Sequence, residues 1–361
     1  MAAIIMDGRA LSAHLMPELR ANVDELKSKF GVTPSLAAIL VGDDPASRQY
    51  VKNKQRVAAE LGCDSRTVRM TSAEATTDSL LAVIDELKSR FACTPSLAAI
   101  LVGDDPASRQ YVKNKQRVAA ELGCESRTVR LTSAEATTDS LLNVIEELNA
   151  DKGLNAILLQ LPIPDSVDRF RLFDAIAPEK DLDAVSSASV GGFYRGEWGR
   201  FIPCTPRGVL TLLDYYKVPV DGARATIIGR SDIAGKPTAL ILGGRLRNAT
   251  ITWCHRHTRD LAAICREADI LIPCVGAHTG QPYLITSDMV KPGACVIDVG
   301  FRRVGPGKFV GDVDFEAVKE VAGWITLNPG GTGPMTVAAL MQNLIDATRY
   351  QLGLPRATYT V

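Results

Sequence analysis

Two pairs of side chains combine a tyrosine and a lysine at helical spacing. Tyr50 and Lys54 stand four positions apart, and Tyr111 and Lys115 repeat the pair. On a helix, residues four apart project from the same face. One interpretation is therefore that the tyrosine and the lysine contribute together to a functional site. The spacing is also typical of an exposed amphipathic face, so the pair alone leaves both interpretations open.

A glycine-rich turn, Gly229 to Pro237, links an apolar segment to a predicted helix. Gly229 and Gly235 let backbone amides approach a pyrophosphate at the helix N-terminus, and Arg230 and Ser231 add side-chain donors. The turn departs from the G-x-G-x-x-G pattern, so a plain strand-to-helix turn is the alternative.

A basic segment, Cys254 to Arg259, follows the next predicted strand, where a dinucleotide site usually places an acid. Donors such as Arg256 suit a 2′-phosphate and favour NADP over NAD; the alternative is a solvated basic loop. A metal site at Cys254, His255 and His257 is disfavoured, because alternate residues at a strand end point to opposite faces. We therefore predict no metal.

The elements that carry these residues include a tandem repeat. Residues 24–84 recur as 85–145 with six mild differences. Each copy is predicted to run strand, helix, strand and helix start, with strands at Leu36–Val41 and Arg66–Met70 or at Leu97–Val102 and Arg127–Leu131. Two copies are too few for a solenoid, so the second reads as an insertion into a parallel α/β unit.

Apolar periodicity predicts the remaining elements. Helices are expected at 9–30, 206–216 and 334–352, and a buried strand at 155–161. A second αβ series has strands near 225–228, 250–253, 270–274, 295–299 and 324–326. We predict an α/β protein with two domains: an N-terminal parallel-sheet domain, 1–207 plus 334–361, and a C-terminal Rossmann-like domain, 208–333.

Composition limits the partners. Lysine plus arginine equals aspartate plus glutamate at 41 each, without long single-sign runs, so neither a nucleic acid nor an anionic membrane is expected as partner. The eight cysteines form no C-x-x-C pair, which indicates a reducing compartment. With neither a signal peptide nor an apolar run of about 20 residues, we expect a cytoplasmic protein.

Further motifs accompany these sites. They are Leu159-Gln160-Leu161-Pro162, Lys180-Asp181-Leu182-Asp183, Pro203-Cys204-Thr205-Pro206, Val296 to Gly300, Gly311 to Phe315, and Pro329 to Thr336. In this order they resemble the bifunctional methylenetetrahydrofolate dehydrogenase/methenyltetrahydrofolate cyclohydrolase family, over essentially the whole chain apart from one repeat unit. The resemblance implies a homodimer in which each chain has a folate domain, an NAD(P) domain and a cleft between them.

The resemblance also implies two reactions of one-carbon metabolism. 5,10-Methylenetetrahydrofolate gives a hydride to NADP, and the methenyl product is hydrolysed to 10-formyltetrahydrofolate. The catalytic lysine is implied to be Lys115 or Lys54, with its tyrosine orienting the folate, Gln160 supporting the lysine and Asp183 binding the pterin. Folate contacts would also come from Leu161, Pro162, Pro329, Gly330 and Gly331. Nucleotide contacts would come from Thr205, Gly229, Arg230, Ser231, Gly235, Arg256, Asp298 and Gly333.

Four residues depart from the family pattern: Ala184, Ala234, Thr332 and Arg256 stand where glycine, valine, valine and serine are usual. The arginine puts the choice between NADP and NAD in doubt, because family members with arginine there include mitochondrial forms that accept NAD with phosphate.

Only one repeat copy can place its strand beside the Gln160 strand. We favour the second copy, with Tyr111 and Lys115, because it enters that strand by a normal short connection; Tyr50 and Lys54 are the alternative. Two other functions stay open. One is a different Rossmann dehydrogenase acting on a hydroxy or keto acid, and the other is a folate-binding protein whose catalysis the duplication has removed.

Overall fold

The computed structural model describes residues 3–40, 54, 56–66, 68–69, 98–102, 127–131, 137–160, 166–195, 201–276, 282–305 and 308–355. Within these ranges, none of the helices is long and apolar enough to cross a membrane. Tyr50, Tyr111, Lys115, Leu161 and Pro162 lie outside the described residues, as does the helix predicted between the two strands of the second copy.

The described strands are numbered β1 to β14 in chain order. They are Ile4–Met6, Ser35–Leu40, Asp64–Arg66, Val68–Arg69, Ala98–Val102, Arg127–Leu131, Ala156–Gln160, Arg224–Ile228, Thr250–Cys254, Ile270–Pro273, Cys295–Val296, Arg302–Gly305, Lys308–Val310 and Trp324–Thr326. The α-helices span Gly8–Phe30, Thr138–Ala150, Arg169–Ala175, Ser187–Tyr194, Cys204–Tyr215, Gly235–Gly243, Leu261–Glu267, Phe315–Val318 and Thr332–Gln351. Lys54 and residues 56–60 are also helical.

The chain divides into two compact units. One, here the 190–340 unit, consists of Met1–Pro17, Val190–Leu340 and Tyr359–Val361; the other, the 18–189 unit, consists of Glu18–Ser189 and Met341–Thr358. The boundaries therefore differ from the predicted ones at 207/208 and 333/334. Met1–Pro17 groups with the 190–340 unit because β1 pairs in parallel with β14, Ile4 opposite Trp324. A three-residue strand is too short for periodicity to reveal.

The 190–340 unit is built on a parallel sheet in the order β1-β14-β11-β10-β8-β9. All four residues of β10 are buried, and so are the last four of β8, as expected of strands covered on both faces. Chain order runs outward from β8 in both directions, to β9 on one side and β10 on the other. This is the topological switch point at which open α/β sheets bind ligands.

The sheet of the 18–189 unit is also parallel, in the order β3-β2-β5-β4, with β7 paired to β2 and β6 to β5. Leu36–Leu40 of β2 run beside Ala156–Gln160 of β7. The prediction that the second copy takes this place is wrong, because β2 belongs to the first copy. The second copy's β5 instead pairs with β2 at Ala38–Leu40. The α/β fold with parallel sheets confirms the predicted class.

Candidate active site and nucleotide site

The turn after β8 has the geometry of a phosphate cradle. Gly229 has φ +131°, a conformation that requires glycine. A Cβ built on Gly235 would lie 2.4 Å from the Gly229 carbonyl oxygen, so both positions exclude side chains. The Gly235 amide donates to Ser231 Oγ at 3.2 Å, which closes the turn at the start of the Gly235–Gly243 helix. Arg230 and Ser231 are exposed, where donors could reach an anion.

Trp253 fixes the same turn from the neighbouring strand. Its indole Nε1 donates to the Gly229 carbonyl at 2.6 Å, and the Gly229 amide donates to the Cys254 carbonyl at 3.0 Å. The sequence did not predict this contact, because an apolar residue in β9 gives no sign that its ring reaches the turn after the neighbouring strand, β8.

The basic segment after β9 forms a compact turn. The Thr258 amide donates to the His255 carbonyl at 2.8 Å, and the His255 amide to Thr258 Oγ1 at 2.8 Å. Arg256 and His257 are exposed, and Arg256 Nε donates to His257 Nε2 at 3.1 Å. The turn therefore presents a guanidinium at the carboxyl end of the sheet. No group of three or more possible metal ligands occurs within the described ranges.

Asp298 lies inside the 190–340 unit rather than on a binding surface. It is 1% exposed, and its carboxylate accepts the amides of Gly300, Asp312 and Val313 at 3.0, 3.1 and 3.2 Å. Burial raises its pKa to about 7, the nearby Asp312 carboxylate also raises it, and the amide hydrogen bonds oppose both effects. This geometry fits a positioning role better than direct contact with a nucleotide.

The proline–glycine loop at 329–333 packs closely on its own unit. The Pro329 carbonyl accepts from Arg9 Nη2 at 3.2 Å, and a Cβ on Gly331 would lie 2.4 Å from the Leu327 carbonyl oxygen. Gly330 has φ +124°. Gly333 is exposed, and a Cβ there would meet nothing within 4 Å. Gly330 and Gly331 are thus required by backbone packing, whereas Gly333 is open to solvent or a ligand.

Thr205 joins this loop to the Cys204–Tyr215 helix. Its hydroxyl lies 3.5 Å from Thr336 Oγ1, and Thr336 in turn donates to the Thr332 carbonyl at 3.0 Å. Thr332 Oγ1 donates to the Asp298 carbonyl at 3.0 Å. Threonine at 332, which departs from the family pattern, therefore ties the loop to the strand-end segment that carries Asp298.

In the 18–189 unit, a lysine and a carboxylate meet in a largely buried setting. Lys54 is 2% exposed, and its Nζ lies 3.9 Å from Asp183 Oδ2, whose side chain is 21% exposed. Lys54 shares a helix face with the buried Val57, Ala58 and Leu61. Its helix places it on the interior side, so the exposed-face interpretation of this lysine is wrong. Gln160 ends β7 opposite Leu40 of the first copy.

Asp183 stands on a firmly held segment. Asp181 is buried and accepts the amides of Val185 and Ser186, each at 3.0 Å, and Ser189 Oγ at 2.7 Å; burial nevertheless raises its pKa. Lys180 Nζ donates to three carbonyl oxygens at the end of the Thr138–Ala150 helix, and burial lowers its pKa.

The residue after Asp183 departs from the family pattern at a position with left-handed backbone conformation. Ala184 has φ +51°, in the left-handed region that favours the usual glycine. Asn343 Nδ2 donates to the Leu182 carbonyl at 2.9 Å and holds the other side of the segment. The backbone that carries Asp183 is thus set on both flanks.

Profiles of one protein family match both parts of the chain. The profile of the tetrahydrofolate dehydrogenase/cyclohydrolase NAD(P)-binding domain matches residues 203–352, and that of the catalytic domain of the same family matches 6–94 and 87–183. The bifunctional protein FolD of Moorella thermoacetica is 51% identical over 255 residues, 71% of this chain and 88% of that protein. FolD of Oleidesulfovibrio alaskensis is 46% identical over 285 residues, 78% of this chain and 97% of that protein.

Solved structures give the same result. FolD methylenetetrahydrofolate dehydrogenase/cyclohydrolase of Campylobacter jejuni superposes with a TM-score of 0.74 at 35% identity, covering 97% of this chain and 100% of that one. The Trypanosoma brucei enzyme, solved with NADP and an inhibitor, has a TM-score of 0.75 at 28% identity, covering 98% and 99%. The resemblance drawn from the motifs is confirmed: the chain belongs to the tetrahydrofolate dehydrogenase/cyclohydrolase family.

Proposed function

We propose that the protein oxidises 5,10-methylenetetrahydrofolate to 5,10-methenyltetrahydrofolate with NADP and hydrolyses the product to 10-formyltetrahydrofolate. Family membership supports both activities, since the similar proteins are bifunctional FolD enzymes. The observation that carries the proposal is the buried Lys54 ammonium 3.9 Å from the Asp183 carboxylate. This arrangement pairs a proton-transfer group with a group that can bind a pterin.

The two reactions require different kinds of catalysis from the protein. Hydride transfer needs orientation, because the folate nitrogens stabilise the cation that forms. The nicotinamide supplies the hydride acceptor when the nucleotide is bound. Hydrolysis needs protons moved to and from the attacking water and the leaving nitrogen, and Lys54 is the residue we assign to that task. Asp183 orients the pterin, and Tyr50 and Gln160 keep their family-implied roles beside the lysine.

The nucleotide is assigned as NADP with phosphates on the Gly229–Ser231 turn. That turn fits a pyrophosphate, because Gly235 leaves no room for a Cβ at the start of the helix. Arg256, exposed after β9, would hold the 2′-phosphate. The Trypanosoma brucei relative binds NADP. NAD remains the competing nucleotide, and both enter the assay below.

Four further assignments belong to the proposal. The domain roles are folate binding in the 18–189 unit and nucleotide binding in the 190–340 unit. The family resemblance implies a homodimer, and the scattered cysteines favour a cytoplasmic location. The product, 10-formyltetrahydrofolate, places the protein in one-carbon metabolism, with purine biosynthesis as the expected use.

The experiment uses two matched variants, Lys54→Gln and Lys115→Gln, in the full chain. Reduced nucleotide and methenyltetrahydrofolate are followed separately by absorbance, with NADP and then with NAD. Lys54→Gln should slow hydrolysis by about 10²- to 10⁴-fold, the usual contribution of a general acid–base group, so methenyltetrahydrofolate accumulates while nucleotide is still reduced. Lys115→Gln should retain hydrolysis.

Each other outcome rejects a defined part of the proposal. The reverse pattern would assign the role to Lys115, and unchanged hydrolysis in both variants would remove lysine from the mechanism. If the wild-type protein binds folate but shows no turnover with either nucleotide, it is a folate-binding protein whose catalysis the duplication has removed. Nucleotide-dependent oxidation of a hydroxy acid without folate would instead identify another Rossmann dehydrogenase, a function that the family assignment does not favour.

A further inference from the structure

Asp312 holds the backbone of the turn that follows β10. Its carboxylate accepts the amide of Val275 at 2.7 Å and that of Gly276 at 3.0 Å. Asp312 itself is fully buried, whereas Val275 is 38% exposed. A charged acceptor inside the unit therefore sets the conformation of a turn that reaches the surface. Hydrogen bonds of this charge-assisted kind are about twice as strong as neutral ones.

This turn forms one side of the sheet's switch point. β8 and β10 are neighbours, and the Cys274 amide donates to the Ile228 carbonyl at 2.8 Å. A Cβ on Gly229 would lie 2.7 Å from the Cys274 carbonyl oxygen, so the turn after β10 packs directly on the turn after β8. Ligands of open α/β sheets bind in the crevice between such strand ends.

Asp312 is in turn held from behind. Its amide donates to Asp298 Oδ1 at 3.1 Å, and its carbonyl accepts the amides of Leu284 and Ile285 at 2.7 and 3.0 Å. A Cβ on Gly300 would lie 2.1 Å from the Asp312 carboxyl carbon. The carboxylate is therefore fixed before any ligand arrives, which lowers the ordering cost of binding.

We propose that Asp312 is a positioning residue for the dinucleotide. It fixes the backbone of Val275 and Gly276, here called the crevice wall, and so holds this wall beside the Gly229 turn in its binding conformation. The inference rests on the proposed function and deepens it. Asp312 is buried beneath the wall, so it acts through the turn and not by touching the nucleotide. Hydrolysis of methenyltetrahydrofolate consumes no nucleotide, so it should not depend on this wall.

The test compares Asp312→Asn and Asp312→Ala in the full chain. NADP affinity is measured by calorimetric titration, the dehydrogenase by kcat and KM for each substrate, and the cyclohydrolase with methenyltetrahydrofolate and no nucleotide. Asp312→Asn keeps the shape and one acceptor oxygen but turns an amide N–H toward a backbone N–H. We expect Kd and KM for NADP to rise about tenfold, and more in Asp312→Ala, with folate KM and cyclohydrolase rate unchanged.

Asp314→Asn is the matched control, since it removes a neighbouring carboxylate that caps the Phe315–Val318 helix. Its NADP affinity should equal that of the wild type. Unchanged NADP affinity in Asp312→Asn overturns the inference, and so does an equal loss of NADP affinity and cyclohydrolase rate. If Asp312→Ala does not fold, Asp312→Asn decides alone. A wild type that binds NADP but lacks folate turnover contradicts the proposed function, while the affinity comparison still judges Asp312.

Discussion

The buried carboxyl of Asp298 should make the stability of the 190–340 unit depend on pH in an unusual direction. Burial, reinforced by the Asp312 carboxylate, raises its pKa from 3.8 to about 7. The folded state therefore holds a proton that the unfolded state releases. For such a group the stabilising contribution is complete below the unfolded pKa and is lost as the pH rises through the folded pKa. Most paired carboxylates act in the opposite sense.

The size of the effect follows from the two pKa values. Their difference of about 3.2 units, at about 1.36 kcal/mol per unit, corresponds to about 4 kcal/mol over the whole window. Between pH 5 and pH 8 about 3 kcal/mol of this is lost, because most of the folded-state titration falls there. Asp298→Asn keeps the shape without the titration. The stability of the wild type relative to this variant should therefore fall by about that amount over the interval.

The assay is denaturant unfolding followed by tryptophan fluorescence. Trp253 and Trp324, two of the three tryptophans, belong to the described part of the 190–340 unit, so their fluorescence reports on the unit that contains Asp298. Asp269→Asn is the control, since hydrogen bonds from Lys291 and the Arg224 backbone lower the pKa of Asp269. Its contribution is constant above pH 5. A wild-type-minus-Asp298→Asn difference that is flat or rises from pH 5 to pH 8 would refute the reasoning.

Two further substitutions each test one contact, the first in the 190–340 unit and the second in the 18–189 unit. Gly235→Ala should raise the Kd for NADP, measured by calorimetric titration, by about tenfold or more, because its Cβ would lie 2.4 Å from the Gly229 carbonyl oxygen. The control is Gly191→Ala, where a Cβ meets nothing within 4 Å, and this variant should bind NADP as the wild type does. Lys180→Met should lower the free energy of unfolding of the 18–189 unit by about 2–3 kcal/mol, measured by circular dichroism in denaturant, because it deprives carbonyl oxygens at a helix end of a charged donor. Equal stability in Lys180→Met would mean that water replaces the ammonium.

Apolar patterning predicts the sheet of the 190–340 unit well for a physical reason. Buried parallel strands such as β8 and β10 are short continuous apolar runs, and glycine-rich turns follow them. The sequence does not predict β1, because this strand has three residues and pairs with residues more than 300 positions later in the chain, Ile4 opposite Trp324. Register with so distant a partner leaves no local trace in the sequence.

In the candidate sites, too, the sequence predicts locally determined residues and does not predict residues whose role depends on distant contacts. Gly229 and Gly235 are visible from spacing, because a close backbone approach demands glycine at particular positions. The role of Asp312 is not visible. Its carboxylate accepts the amides of Val275 and Gly276, which are 36 or more positions away, so no spacing in the sequence connects them. Buried positioning groups are defined by what they hold, and sequence spacing carries no record of that.

The repeat poses a question that local sequence cannot answer, since the two copies are almost identical. What differs is the connection of each copy. β2 begins five residues after the Gly8–Phe30 helix, whose Leu19, Val23 and Leu26 are fully buried. Glu25 of that helix also pairs with Arg349 at 3.0 Å. Removing β2 from its place beside β7 would pull a buried helix with it.

The position of β5 then follows from strand geometry. Residues 38–40 of β2 pair with both β5 and β7. Because the same residues of β2 pair with both strands, β5 and β7 lie on opposite edges of β2. The second copy therefore extends the sheet on the edge away from Gln160, and its strand does not separate the first copy from β7. Lys54 and Asp183 meet at 3.9 Å in a chain that carries both copies, so the pair to which we assign the folate chemistry forms in the presence of the added unit.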